Sequence, residues 1–248
     1  MEKIKPGEVV SDIYTSDLSS EFIQAAYDLI EDAKTSDWRF TRSKIVTSCI
    51  GSFLSIEAYI NRVFYDSFSA SSKTKLNILP HIPEAIIQYI QVSWSRLSIK
   101  DKCTTLIPLI STIDLEINQK PFNLFIEFIK FRNRLVHAKS WETEKTVLVT
   151  HANLNEKGEG SWGGKNLGVK SLKLHDNYPL TKFSKDLSQL NISDAERALE
   201  IAFLMIFKVR SMISGSYTVP VLNFKIPKNN INSIAGKDVL KFITRYYT

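Results

Sequence analysis

The stretch PFNLFIEFIKFRNRLVH, residues 121–137, decides the fold. At about 100° per residue, Phe122, Phe125, Ile126, Phe128, Ile129, Leu135 and Val136 spread over one wide apolar arc, while Asn123, Glu127, Lys130 and Arg134 gather on the other side. Pro121 suits the first turn of a helix, where a missing N–H costs nothing. The spacing therefore predicts an amphipathic helix from Pro121 to about Ala138, with its apolar face in a core. Two polar side chains break the pattern. Arg132 falls at about −60° from Ile129 and Asn133 at about +40°, both inside the apolar arc, and His137 lies near its edge, about 40° from Asn133. Arg134 reads as a solvated charge, whereas Arg132 is aimed at the packing face and needs partners there, because an unpaired buried charge is costly.

A second long helix, over about residues 41–68, offers one. Ile45, Val46, Cys49, Ile50, Phe53, Ile56, Ile60, Val63 and Phe64 share its broad apolar face. Glu57 falls about 40° from Phe53 on that face, and Asn61 stands one turn later at its edge. A buried Glu57–Arg132 pair is the expectation. Such pairs often fix helix register and nothing more, so a purely structural staple is a reading the spacing leaves open.

The other elements follow outward from these two. Residues 17–34 form a first helix on Phe22, Ala25, Ala26, Leu29 and Ile30. Pro83 opens a third helix running to about Leu97, residues 101–113 form a shorter one shaped by Pro108, and Ser193 with Glu196 makes a capping box for a last helix to about Ile213. Between them the period changes. Thr146–Thr150 reads as a strand, Gly158, Gly160, Gly163 and Gly164 as a turn, and Leu167–Leu174 as the partner strand. The expected architecture is mainly α: an up-and-down helical bundle over residues 1–214, with a small β-hairpin inserted at about 145–175 and a C-terminal extension over 215–248.

The bulk composition narrows the function classes. With 44% hydrophobic and 23% charged residues in 248, the chain can bury a core. A net charge of +6 favours an anionic partner. The start MEKIKPGEVV has no apolar signal core, and the apolar run Ile201–Phe207 is too short to span a bilayer. A reducing cytoplasm and no membrane are expected. Cys49 and Cys103 form no CxxC pair and read as small core hydrophobes. His81, His151 and His175 share no ligand spacing with each other or with the cysteines, so neither a metal nor a cofactor is expected. The Gly-rich run before Lys165 is not a P-loop, because Glu159 stands at its required first glycine and Asn166 where Ser or Thr should follow the lysine.

Arg132-Asn133-Arg134-Leu135-Val136-His137 resembles the signature of the HEPN superfamily, in which Arg, often followed by a polar residue, precedes a His by a short spacer. Ser55-Ile56-Glu57-Ala58-Tyr59-Ile60-Asn61 resembles the xxEAxIN helix of many bacterial members. The resemblance covers roughly residues 20–140. It implies a helical bundle that often forms a homodimer, with two copies of the motif across one cleft. It implies Arg132, Asn133 and His137 as catalytic residues, with Glu57 and Asn61 supporting them. Many members are metal-independent endoribonucleases, among them toxins and antiviral effectors, while others only bind RNA, nucleotides or a partner protein. Lys139 stands where the members controlled by nucleotidyltransferase antitoxins carry Tyr, which separates this chain from that control.

The residue types suit RNA cleavage. RNA carries its own nucleophile, the 2′-OH. An imidazole can exchange protons near neutral pH, and a guanidinium presents a charged fork to phosphate oxygens. Arg134, Lys139, Lys165, Lys170 and Lys173, with Trp162 at the hairpin turn, are candidate RNA contacts, basic charge beside a stacking ring. The sequence therefore leads to a dimeric endoribonuclease of defence, toxin or stress response, or to a silent module that binds RNA, nucleotide or a regulatory protein.

Overall fold

In the computed structural model, residues 18–68, 83–110, 120–137, 148–149, 169–170, 177–185, 187–213, 225–226 and 230 are described. Helix α1 (Leu18–Thr35) and helix α2 (Trp38–Phe68) are joined by Ser36 and Asp37. Asp37 caps α2, its carboxylate accepting from the Arg39 N–H at 3.1 Å and pairing with the Arg39 guanidinium. These two bonds hold the Asp37 carboxyl below the usual carboxylate range. The short link folds α2 back along α1. Lys44 reaches Asp32 and Ser36, Ser48 donates to the Ala26 carbonyl at 2.8 Å, and Gly51 faces Ala26 and the Phe22 carbonyl. Rising numbers on one helix against falling numbers on the other define the antiparallel pair. Ser48, Ser52 and Ser55, all buried, keep the α2 side of this seam small.

Helix α3 (Glu84–Ser93) runs into a 3₁₀ turn, Trp94–Arg96, and helix α4 (Ile99–Ile110) follows. Pro83 caps α3 from outside rather than opening it from within. Trp94 stacks on Phe64 of α2 at 3.7 Å. Ser98 and Asp101 cap α4 reciprocally, and Pro108 lies inside it. Helix α5 (Lys120–Val136) carries the decisive stretch. Helix α6 (Ile192–Ile213) is the centre. Ala195, Leu199, Ile201, Ala202, Phe203, Met205, Ile206 and Val209 are buried over more than half of its circumference, and it packs against α1, α2, α4 and α5.

The start of α6 corrects the expected Ser193–Glu196 box. Asn191 is the cap: its side-chain oxygen accepts from the Ser193 N–H at 2.9 Å, and Asp194 reaches back to the Asn191 N–H at 2.9 Å. Asp194 also accepts from Ser184 at 3.2 Å. Burial pushes its carboxyl up, against the lowering effect of those two N–H groups.

Within the two stretches expected as strands, β1 (Leu148–Val149) pairs antiparallel with β2 (Val169–Lys170), in register Leu148 to Lys170 and Val149 to Val169. The rest of the expected hairpin, its glycine turn included, lies outside the described residues. Of the C-terminal extension, Ile226 is buried in the core, the Lys225 N–H donates to Gln24 at 2.7 Å, and Asn230 bonds the Tyr27 hydroxyl. Those positions return to α1. Cys49 and Cys103 are free and buried, and burial pushes both thiols up. Among the described residues no helix is long and apolar enough to cross a membrane.

Gly51 sits mid-helix where a Cβ would meet Ala26 Cβ at 3.5 Å and the Phe22 carbonyl at 3.6 Å, ordinary contact distances. Gly51→Ala should therefore stabilise the protein by about 0.5–1 kcal/mol in chemical denaturation, since alanine loses less backbone freedom than glycine. A loss of stability would mean the α1–α2 seam is tighter than these distances allow.

Candidate functional site

Helix α5 is braced on two sides, and that decides which of its side chains are free. Toward α2, Phe125 stacks on Phe53 at 6.0 Å and Phe128 meets the same ring edge-on at 5.5 Å. On the other flank, Phe183 stacks on Phe131 at 4.1 Å. What remains open is the last turn. Asn133, Arg134 and His137 are exposed there, and Arg132 is half-buried beside them.

Arg132 continues the α2 side of the helix, and its guanidinium lies 5.0 Å from the centre of the Phe53 ring. One terminal nitrogen donates to Asn133 Oδ1 at 3.1 Å. Its Nε is sealed from solvent, and no acceptor meets it among the described residues. The expected Glu57–Arg132 ion pair is not formed. Phe53 occupies the place under the guanidinium, and Glu57, one turn further along α2, acts instead on Lys102 of α4. The helical wheel gave Glu57 the right side of α2 but could not say which neighbour stands opposite it.

Asn61 is also committed elsewhere. Its Oδ1 accepts from Trp94 Nε1 at 3.2 Å and from Lys102 Nζ at 3.0 Å, tying α2 to the 3₁₀ turn and to α4. Lys102 as a residue is only 7% exposed, and its ammonium lies 4.8 Å from the Trp94 ring centre. Burial holds it below the ordinary lysine range, more strongly than Glu57 raises it. Sequence reasoning missed this lysine, whose charge inside a helix that otherwise reads as amphipathic was the only signal.

The His137 N–H donates to the Asn133 carbonyl at 2.9 Å, so helical bonding extends to the histidine. A residue five places from Arg132 lies about 7.5 Å further along the axis and about 140° round it. Within one chain, no side-chain hydrogen bond or ion pair among the described residues joins His137 to Arg132 or Asn133. The structure thus brings Arg132 and Asn133 together, leaves His137 open on the same end of α5, and removes Glu57 and Asn61 to another cluster. Lys170 is in β2 opposite Leu148, while Lys139, Trp162, Lys165 and Lys173 lie outside the described residues.

Glu127 requires a second correction. Its position on the polar side of the wheel predicts a solvated carboxylate, yet it is buried. It accepts from the N–H groups of Leu180, at 3.1 Å, and Thr181, at 2.8 Å, and from the Thr181 hydroxyl at 3.0 Å. The covering segment comes from far along the chain, and no local pattern announces it. No three His, Cys, Asp or Glu side chains among the described residues gather as metal ligands. The chain matches no family model, no curated protein and no solved structure.

The Lys102 geometry fixes a pH dependence. With its folded pKa lowered, the unfolded chain holds the extra proton between that value and the ordinary 10.5, so stability should rise as pH climbs through this window. Lys102→Met keeps the stem on Trp94 and removes the proton, and its unfolding free energy, compared with wild type from pH 7 upward, should lack that rise. Equal slopes in the two proteins would refute the assignment.

Proposed function

We propose that this chain is a HEPN-type endoribonuclease that needs no metal for the chemical step and acts as a homodimer. The observation that carries this is Arg132: a half-buried guanidinium propped on Phe53, with Asn133 as its hydrogen-bond partner, next to an exposed imidazole at the end of the same helix. The resemblance of residues 132–137 and 55–61 to the HEPN motifs and the net charge of +6 support the same reading. The setting in defence, toxin or stress biology rests on the resemblance alone.

In this mechanism a base takes the proton of the 2′-OH, and the 2′-oxygen attacks the adjacent phosphorus. The P–O5′ bond breaks, and an acid returns a proton to the leaving 5′-oxygen. The products are a 2′,3′-cyclic phosphate and a 5′-hydroxyl. Arg132 stabilises the charge of the crowded phosphorane, where a preorganised donor is worth most. Asn133 orients that guanidinium and bonds a phosphate oxygen. His137 performs one proton transfer, and the His137 of a second copy performs the other. Two proton transfers against one motif histidine per chain are the reason a second copy is invoked.

One observation favours a second reading, an RNA-binding module that does not cut: His137 reaches neither Arg132 nor Asn133 within the chain. Incubation of purified protein with total RNA in EDTA separates the two. The ribonuclease should release fragments ending in 2′,3′-cyclic phosphate, and His137→Ala should slow this by about 10²–10⁴-fold, the usual worth of a general acid or base. Its fold should be unchanged, because the side chain is exposed. Arg132→Lys keeps the charge but loses the fork, and should also impair cleavage. Full activity in His137→Ala ends the mechanism. Binding without cleavage in wild type, weakened by Arg132→Ala, establishes the module instead.

A further inference from the structure

The segment Asn177–Lys185 crosses the back of α5, opposite the open face that bears Asn133 and His137. Three independent features hold it there. Phe183, fully buried, stacks on Phe131 and touches Phe128, while Tyr178 meets Phe131 edge-on at 6.2 Å. Glu127 takes both the Leu180 and Thr181 N–H groups and the Thr181 hydroxyl. Arg197 of α6, itself paired with Glu200, donates to the Thr181 carbonyl at 3.3 Å. The segment therefore bridges α5 and α6 at the level of the residues just before Arg132.

Its backbone does not take this path freely. Lys182 sits at φ +63°, a left-handed conformation that non-glycine residues seldom adopt, closed by hydrogen bonds from Lys182 N–H to the Tyr178 carbonyl and from Tyr178 N–H to the Phe183 carbonyl, both 2.9 Å. A strained turn persists when its surroundings over-determine it. Here the surroundings are the carboxylate of the helix that carries the candidate site.

We propose that Asn177–Lys185 is a positioning strap for the Arg132 site, fastened by Glu127, and that its hold sets how rigidly the last turns of α5 present Arg132 and Asn133. Phe128 links the two sides: one neighbour is the strap's Phe183, the other is Phe53, the ring under the guanidinium. Release of the strap removes the back support of Phe131 and Phe128 and lets the Arg132 end of the helix fray. Glu127 and Thr181 touch no substrate in this scheme; they act through the helix. The effect on cleavage rests on the ribonuclease reading above, whereas the effect on the helix does not.

The test uses the full chain with Glu127→Gln, Thr181→Val and Thr181→Ser. Gln removes the charge and leaves one acceptor oxygen, and with that oxygen turned to Thr181 its NH2 faces the Leu180 N–H that Oε1 accepted; Val removes the Thr181 hydroxyl at constant shape, and Ser keeps it. Amide exchange at residues 131–137 should quicken about tenfold in Glu127→Gln and Thr181→Val, the scale of one lost hydrogen bond. Exchange in α1 should be unchanged, and Thr181→Ser should behave as wild type. Against RNA, kcat should fall by a similar factor with KM unchanged, a split that general loss of folded protein would not give alongside unaltered α1. Unchanged protection at 180 and 181 in both variants, fast exchange there with no change at 131–137, or a frayed helix with full kcat would each overturn the strap. If wild type cuts no RNA, the ribonuclease reading fails, and the exchange measurement alone decides the strap.

Discussion

A helix that buries more than half of its circumference has to be surrounded on those sides, and α6 imposes that condition on the rest of the chain. Ala195, Ala198 and Ala202 let neighbours approach closely, while Phe203, Ile206 and Phe207 fill the space between them, all buried. Only the stripe of Ser193, Glu196, Arg197, Glu200, Leu204, Lys208 and Ser211 is left half-buried or exposed. The antiparallel α1–α2 pair covers one side, and α4 and α5 close others. Ile226, a residue of the C-terminal extension, is also buried in this core. The bundle is thus arranged about its last long helix, and α1, α2, α4 and α5 each give it a face.

Several polar groups caught in this packing finish connections. Trp94 of the 3₁₀ turn bonds Asn61, Asp194 bonds the Asn191 cap and Ser184, and Glu127 holds the 177–185 segment. Others tie helix to helix directly, Lys102 to Asn61 across α4 and α2 and Ser48 to the Ala26 carbonyl across α2 and α1. Finishing a connection with a carboxylate is economical: the irregular segments carry backbone N–H groups in need of acceptors, and a carboxylate can take several at once. The same choice makes these connections sensitive to single substitutions, because removal of the acceptor strands two or three donors together.

How much of this could be read from the residues depended on range. The helices were legible, since a period of 3.6 written over four or more turns survives any tertiary context, and α1, α2, α5 and α6 stand where the apolar spacing put them. Caps were less so. Asn191 and Asp194 form the box rather than Ser193 and Glu196, a shift of two residues that propensity cannot resolve because all four side chains suit their positions. Pairing between helices was not legible. The wheel put Glu57 on the right side of α2, yet which charge it faces is set by the helix that lies opposite, and it acts on Lys102 of α4 through its field rather than on Arg132. Glu127 failed for a related reason, because whether a polar stripe faces water or a distant strap is a property of the whole chain. Of the candidate site, the inward turn of Arg132 was foreseen, while the ring beneath it was not, and Asn133, which the wheel put inside the apolar arc, is exposed.

The energetics of Arg132 separate it from the other buried polar groups. Lying over Phe53, half-buried, its guanidinium gains about 0.5–2 kcal/mol from the ring, but a sealed Nε without an acceptor costs about 1–3 kcal/mol. The two nearly cancel, so packing on the ring by itself does little to explain a charge at this position. Lys102, by contrast, organises Asn61 and Trp94, and Glu127 satisfies three donors. Arg132 organises one exposed asparagine. A charge that packing does so little to explain, bonded to exposed Asn133 and with an exposed imidazole at the end of the same helix, runs against the local rules. Sites that act on ligands are where such violations concentrate.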